Sequence, residues 1–96
     1  MNIRNEFERQ KIKIGKMLKK YREDVGYKSA FQPAQEIGAG YDSIHKLEKG
    51  THLPTPRMID SLSRIYKLNE MEIKDLVSKV NEAKVLRKKV QPYVNK

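Results

Sequence analysis

The sequence predicts an all-α fold of five helices joined by short turns. Three observations carry this. Apolar residues recur at spacings of three and four along most of the chain. Capping and stop residues bracket each such stretch. No segment alternates apolar and polar residues at period two for long enough to make a strand.

The first helix carries Ile3, Phe7, Ile14, Leu18, Tyr21 and Val25 on one face, with Lys and Arg opposite. The run Asn5-Glu6-Phe7-Glu8 fits a capping box, so the helix starts there or already at Asn2, and Gly26 ends it. Ser29 is the N-cap candidate of a second helix, "SAFQPAQEIG", which stops at Gly38. A third runs from Tyr41 to Lys49 with Ile44 and Leu47 inward, and Gly50 closes it. After the loop "THLPTP", Thr55 and Pro56 read as N-cap and first position of a fourth helix bearing Ile59, Leu62, Ile65 and Tyr66. Asn69-Glu70-Met71-Glu72 is a second capping box. It opens a fifth helix with Ile73, Leu76, Val77 and Val80 inward, continuing through the basic "NEAKVLRKKV" until Pro92 stops it.

Ninety-six residues make one small domain with a modest core. The chain has no cysteine, which excludes disulfides and thiolate metal sites. No apolar run approaches the roughly 18 residues of a membrane span, and "MNIRNEFERQ" lacks a secretory leader's apolar stretch, so a cytoplasmic location is expected. The net charge of +9 points to an anionic partner, nucleic acid before membrane. Its distribution is uneven: residues 1–25 carry +4, residues 26–77 balance to zero, and residues 78–96 carry +5. The chain is read as an N-terminal extension (1–11, continuous with the first helix or not), a central domain (12–77) and a basic C-terminal extension (78–96).

Two short helices separated by Gly38-Ala39-Gly40 inside a small bundle make a helix-turn-helix. The residues around it, "IGKMLKKYRED" with Ile14, Gly15 and Arg22, "GYKSAFQPAQEIG", "SIHKLEKG", "LP" and "MIDSLSRIYKL", resemble the Xre/Cro-type helix-turn-helix regulators of phages, plasmids and bacterial chromosomes. The resemblance covers residues 14–77, and its strongest element is Ile44-x-x-Leu47-Glu48-x-Gly50 followed by Pro54. It implies a lambda-repressor-like helix-turn-helix DNA-binding domain with basic extensions at both ends. It further implies an ion pair between Arg22 and Glu48, a close helix crossing at Ala34, and a third helix that reads the major groove.

On a helical wheel Asp42, Lys46 and Lys49 lie opposite Ile44 and Leu47, with His45 less squarely so and Tyr41 and Ser43 alongside. By resemblance Tyr41, Asp42 and Lys46 stand at base-reading positions, flanked by Ser43 and His45. Lysine donates to guanine, aspartate accepts from cytosine N4, and tyrosine packs on a thymine methyl or bonds a phosphate. Asp42 is equally explained by the positive end of the helix dipole. Phosphate contacts are expected from Lys28, Ser29, Lys49, Thr51 and His52. The terminal clusters, Lys11, Lys13, Lys16, Lys19 and Lys20 at one end and Arg87, Lys88 and Lys89 at the other, are expected to add sequence-independent grip.

The sequence departs from the family pattern at three places. Pro33 replaces a large apolar residue, so the second helix begins late or distorted and Phe31 is expected to supply the apolar contact. Ala30 replaces a frequent glutamine, removing one phosphate or base contact. Gly40 replaces a Ser/Thr cap, a change worth a few tenths of a kcal/mol.

Catalysis is not expected: Gly38-Ala39-Gly40 lacks the third glycine of a dinucleotide fingerprint and follows a helix. His45 and His52 have no carboxylate or cysteine at ligand spacing, so neither a metal nor a cofactor is expected. RNA binding lacks an exposed aromatic platform. The reading is a homodimeric, sequence-specific regulator of double-stranded DNA, a repressor on a palindromic operator. The alternative is an antitoxin or mobile-element accessory protein whose residues 78–96 bind a protein partner.

Overall fold

A computed structural model describes residues 3–94, with the side chains of Ile3 and of residues 90–94 left outside the description. The proposed helix start at Asn2, the side chain of Val90 and the end of the C-terminal extension, Asn95 and Lys96, lie outside the described residues. The chain forms α1 (Ile3–Asp24), α2 (Phe31–Glu36), α3 (Tyr41–Lys49), α4 (Pro56–Ile65) and α5 (Glu70–Val94), and no described residue is in a strand.

Local signals place most boundaries. The Thr55 hydroxyl accepts from the Met58 amide at 3.2 Å, capping α4 with Pro56 at its first position. Asn69 and Glu72 satisfy one another's amides reciprocally at 2.9 and 2.8 Å, a complete capping box for α5. α1 starts at Ile3, ahead of the Asn5 capping box, so that box lies inside the helix. α5 runs through Pro92 to Val94 instead of stopping at the proline. Pro92 removes one hydrogen bond in a last turn that ends two residues later, so it shortens the helix less than an interior proline does.

α2 resolves the question raised by Pro33. The helix begins at Phe31, with Ala30 rather than Ser29 in the N-cap position. Ser29 still contributes, its hydroxyl oxygen accepting from the Phe31 amide at 3.3 Å. Pro33 is then the third helical residue, where the backbone N–H has no intrahelical acceptor in any case. The first bond is made by the Ala34 amide to the Ala30 carbonyl at 3.2 Å. Pro33 itself fills the core position, while Phe31 is 57% exposed, so the expected apolar contact from Phe31 is not made.

The core gathers Ile14 and Leu18 of α1, Ala34 of α2, Ile44 and Leu47 of α3, Ile59 and Leu62 of α4, Tyr66, and Leu76, Val80 and Ala83 of α5. α1 is the spine: α3 packs on one side of it and α5 on another. The Gln10 amide donates to the Lys79 carbonyl and to Glu82, each at 3.1 Å, tying the outer parts of α1 and α5 together. Residues on both sides of position 77 thus belong to one continuous helix, and Val80 and Ala83 beyond it are fully buried. Val25 and Val77, expected to face inward, are exposed. Val25 lies just past the end of α1, and Val77 lies at the edge of the apolar stripe of α5.

Two glycines set the position of α3. Gly15 lies so close to the end of α3 that a Cβ there would meet the Glu48 carbonyl oxygen at 2.4 Å. Gly50, with φ +79°, closes α3 in the left-handed region and rests against the Ile12 backbone. Its amide and that of Thr51 bond the Leu47 and Lys46 carbonyls at 3.1 and 3.0 Å.

Candidate nucleic-acid interface

The amphipathic pattern of α3 fixes which side chains it presents. Ile44 and Leu47 are buried, whereas Tyr41, Asp42, Ser43, Lys46 and Lys49 are exposed and His45 is half-buried. Gly40 precedes the helix in an extended conformation without a side-chain cap. Tyr41 and His45, one turn apart, stack with ring centroids 5.2 Å apart and planes 21° from parallel. The Tyr41 hydroxyl lies 3.4 Å from His45 Nδ1. This pairing fixes the direction of the tyrosine ring at the leading edge of the helix.

The orientation of α3 is locked by a buried ion pair. Arg22 Nε meets Glu48 Oε2 at 2.7 Å and its Nη2 meets Oε1 at 3.1 Å, the two-pronged geometry that only a guanidinium offers. The hydrogen bond to Glu48 is the main cause that raises the Arg22 pKa above its ordinary value. Arg22 Nη1 also donates to the Tyr27 carbonyl at 2.9 Å, so one side chain fixes both α3 and the turn entering α2. Tyr27 in turn donates its hydroxyl to Glu36 at the far end of α2, which raises the Tyr27 pKa. Beneath them the Tyr66 ring lies 6.0 Å from that of Tyr27. The Tyr66 hydroxyl is buried and has no hydrogen-bond partner among the described residues, and burial above all pushes its pKa up.

Between α1, α2 and α3 lies a hollow of about 370 Å³. Lys19, Lys28, Ser29, Tyr41, His45 and Lys49 surround it, and the Arg22–Glu48 pair also lines it. Since that pair cancels its own charge, the three lysines make the hollow net cationic. Lys28, Ser29, Lys49, Tyr41 and His45 are therefore neighbours, although they come from a helix and a turn well apart in sequence. Asp42, Ser43 and Lys46 stand on the exposed surface of α3 and do not line the hollow. Thr51 and His52 lie past its other end: the Thr51 hydroxyl donates to the Lys46 carbonyl at 3.0 Å and lies 3.0 Å from His52 Nδ1. Thr51 thus closes the helix as well as marking its end.

Lys19 joins this group from α1, whereas the sequence alone places it only in the general basic cluster. Its spacing is the signal that points to the hollow: Gly15, Lys19 and Arg22 recur at four and three residues, so Lys19 shares the α1 face that meets α3. Among the described residues no cluster of three or more His, Cys, Asp or Glu is placed to hold a metal ion, and no helix is long and apolar enough to cross a membrane. No protein-family profile, no curated protein and no solved structure matches this chain.

Proposed function

We infer that the chain is a sequence-specific binder of double-stranded DNA that regulates transcription, with α3 as the recognition helix. The observation that carries this is the division of α3 into a locked inner face and a polar outer face. Tyr41, Asp42, Ser43 and Lys46 offer donors, an acceptor and an aromatic edge, and Lys49 of the adjoining hollow stands one turn along the helix, with Lys19 and Lys28 lining the same hollow. A rigid helix with mixed donors and acceptors suits base edges in the major groove, and flanking lysines suit the phosphates beside it. Sequence specificity then resides in α3, while the basic ends of α1 and α5 raise affinity for any duplex. The protein acts as a lambda-repressor-like homodimer on a palindromic site, its two recognition helices about 34 Å apart, and represses by occupying the operator.

Repeated selection from random duplex DNA tests this. Enrichment of a palindromic motif is the expected result. Recovery of DNA with no common motif overturns the reading of α3 as a base reader.

A further inference from the structure

The outward face of α5 carries an apolar surface that the fold leaves uncovered. Ile73, Val77 and Val85, with Lys74, Ser78 and Glu82 among them, line a groove of about 550 Å³. Met71 is 81% exposed and Val85 52% exposed, next to Val77 at 36%. Met71 and Val85 lie on the outward line of α5, seven residues to either side of Ser78, and Val77 lies on the flank of that line.

The order of residues on this face is self-complementary about Ser78. Three residues to either side stand Asp75 and Asn81, four to either side Lys74 and Glu82, and seven to either side Met71 and Val85. These offsets are the ones that share one helix face. An antiparallel copy of α5, related by a two-fold axis through Ser78, therefore meets cation with carboxylate, amide with carboxylate and apolar with apolar at the same time. The groups are available. Lys74 has no hydrogen-bond or ion-pair partner within its own chain among the described residues. Glu82 accepts from Gln10 through Oε2 and keeps Oε1 free, while Asp75 pairs with Lys79 through Oδ1 and keeps Oδ2. Serine at the centre allows two helix axes to approach to about 8 Å.

We propose that α5 pairs with α5 of a second copy of this chain across a two-fold axis at Ser78. The symmetry is isologous, so each favourable contact occurs twice. The proposal rests on the dimeric reading above and names the surface that makes the dimer.

Sedimentation equilibrium of the full chain tests it without DNA. Lys74→Glu and Glu82→Lys each place like charges opposite one another twice, and each is expected to raise the dimer dissociation constant about tenfold or more. The double variant Lys74→Glu/Glu82→Lys restores complementarity and is expected to return within about threefold of the parent. Because the chain has no cysteine, Ser78→Cys supplies a second readout: mild oxidation is expected to link two copies through that residue, whereas Glu23→Cys on α1 is not. A parent dimer that ignores both reversals and gives no link at position 78 overturns the α5 interface while leaving a dimer intact. A parent that stays monomeric overturns the interface and the dimer, and motif selection then judges DNA recognition separately.

Discussion

Arg22 and Glu48 join α1 to α3 by two hydrogen bonds, 2.7 and 3.1 Å long, and their side chains are only 6% and 9% exposed. Removing one partner leaves the other charged, buried and unpaired. Glu48→Ala is expected to cost about 3–5 kcal/mol in urea denaturation, far more than an exposed pair such as Lys20–Asp24. Arg22→Lys keeps the charge but loses the two-pronged geometry and the bond to Tyr27, and it too should lower stability clearly.

Tyr66 makes stability fall in alkali. Its folded pKa is raised above the ordinary 10.0, chiefly by burial. Above pH 10 the unfolded chain releases this proton while the folded chain retains it, so stability declines as pH rises. Tyr66→Phe removes both that dependence and a buried hydroxyl that has no hydrogen-bond partner among the described residues. It should raise stability near neutral pH by about 1 kcal/mol and flatten the decline between about pH 10 and 11, as urea melts at the two pH values will show. The residual slope belongs to Tyr21 and Tyr27, whose pKa values are also raised.

Gly15→Ala sets helix propensity against packing. Alanine gains about 1 kcal/mol in a helix interior, but its methyl carbon would sit 2.4 Å from the Glu48 carbonyl oxygen, a backbone atom that cannot rotate away. Packing wins. A net destabilisation of about 1–3 kcal/mol is expected, against less than about 0.5 kcal/mol for Lys16→Ala on the exposed side of α1.

If α3 reads DNA as proposed, lysines at different places on the candidate interface should fail differently. Lys46→Ala is expected to relax base preference at one position of the site. Lys49→Ala and Lys19→Ala, at the hollow, should weaken binding to all sequences alike and lower the salt slope by about 1 each. Competition binding on matched and mismatched duplexes separates the two patterns. Uniform weakening for all three variants would reject this orientation of α3.

The distal basic cluster is open to the same treatment by charge removal, though not by truncation. Val80 and Ala83 are part of the core, so cutting α5 near Val80 would open the fold along with the cluster. Replacing Arg87, Lys88 and Lys89 with glutamine leaves the core intact. The slope of log affinity against log salt should fall by about 0.9 for each phosphate that is no longer neutralised, and an unchanged slope would remove these residues from the interface.

What is legible in the sequence is local. The caps at Thr55 and Asn69, the left-handed stop at Gly50 and the bounds of α3 depend on residues within one turn of each other, and each lies where its signal points. Tertiary choices are not legible in this way. Nothing within six residues of α2 reveals that Pro33 rather than Phe31 turns inward; the packing against α3 and α4 decides it. The later part of α5 is obscure for a related reason. Val80 and Ala83 face α1 while Val85 faces solvent, so no single stripe marks the helix as amphipathic over its length. On the candidate interface, spacing identifies the outward residues of α3, but the gathering of Lys19, Lys28 and Lys49 around one hollow depends on how three helices meet.

The bond from Gln10 to the Lys79 carbonyl spans 69 positions, and that span dictates an order of events during synthesis. The ribosome delivers α1 first, yet the face bearing Ile14 and Leu18 belongs to the same core as Leu76, Val80 and Ala83, which are made after the other four helices. Until then α1 lacks the helix that packs along its α5 side. A chain halted before α5 leaves that part of α1 without its partner helix, so the core cannot close until α5 is made.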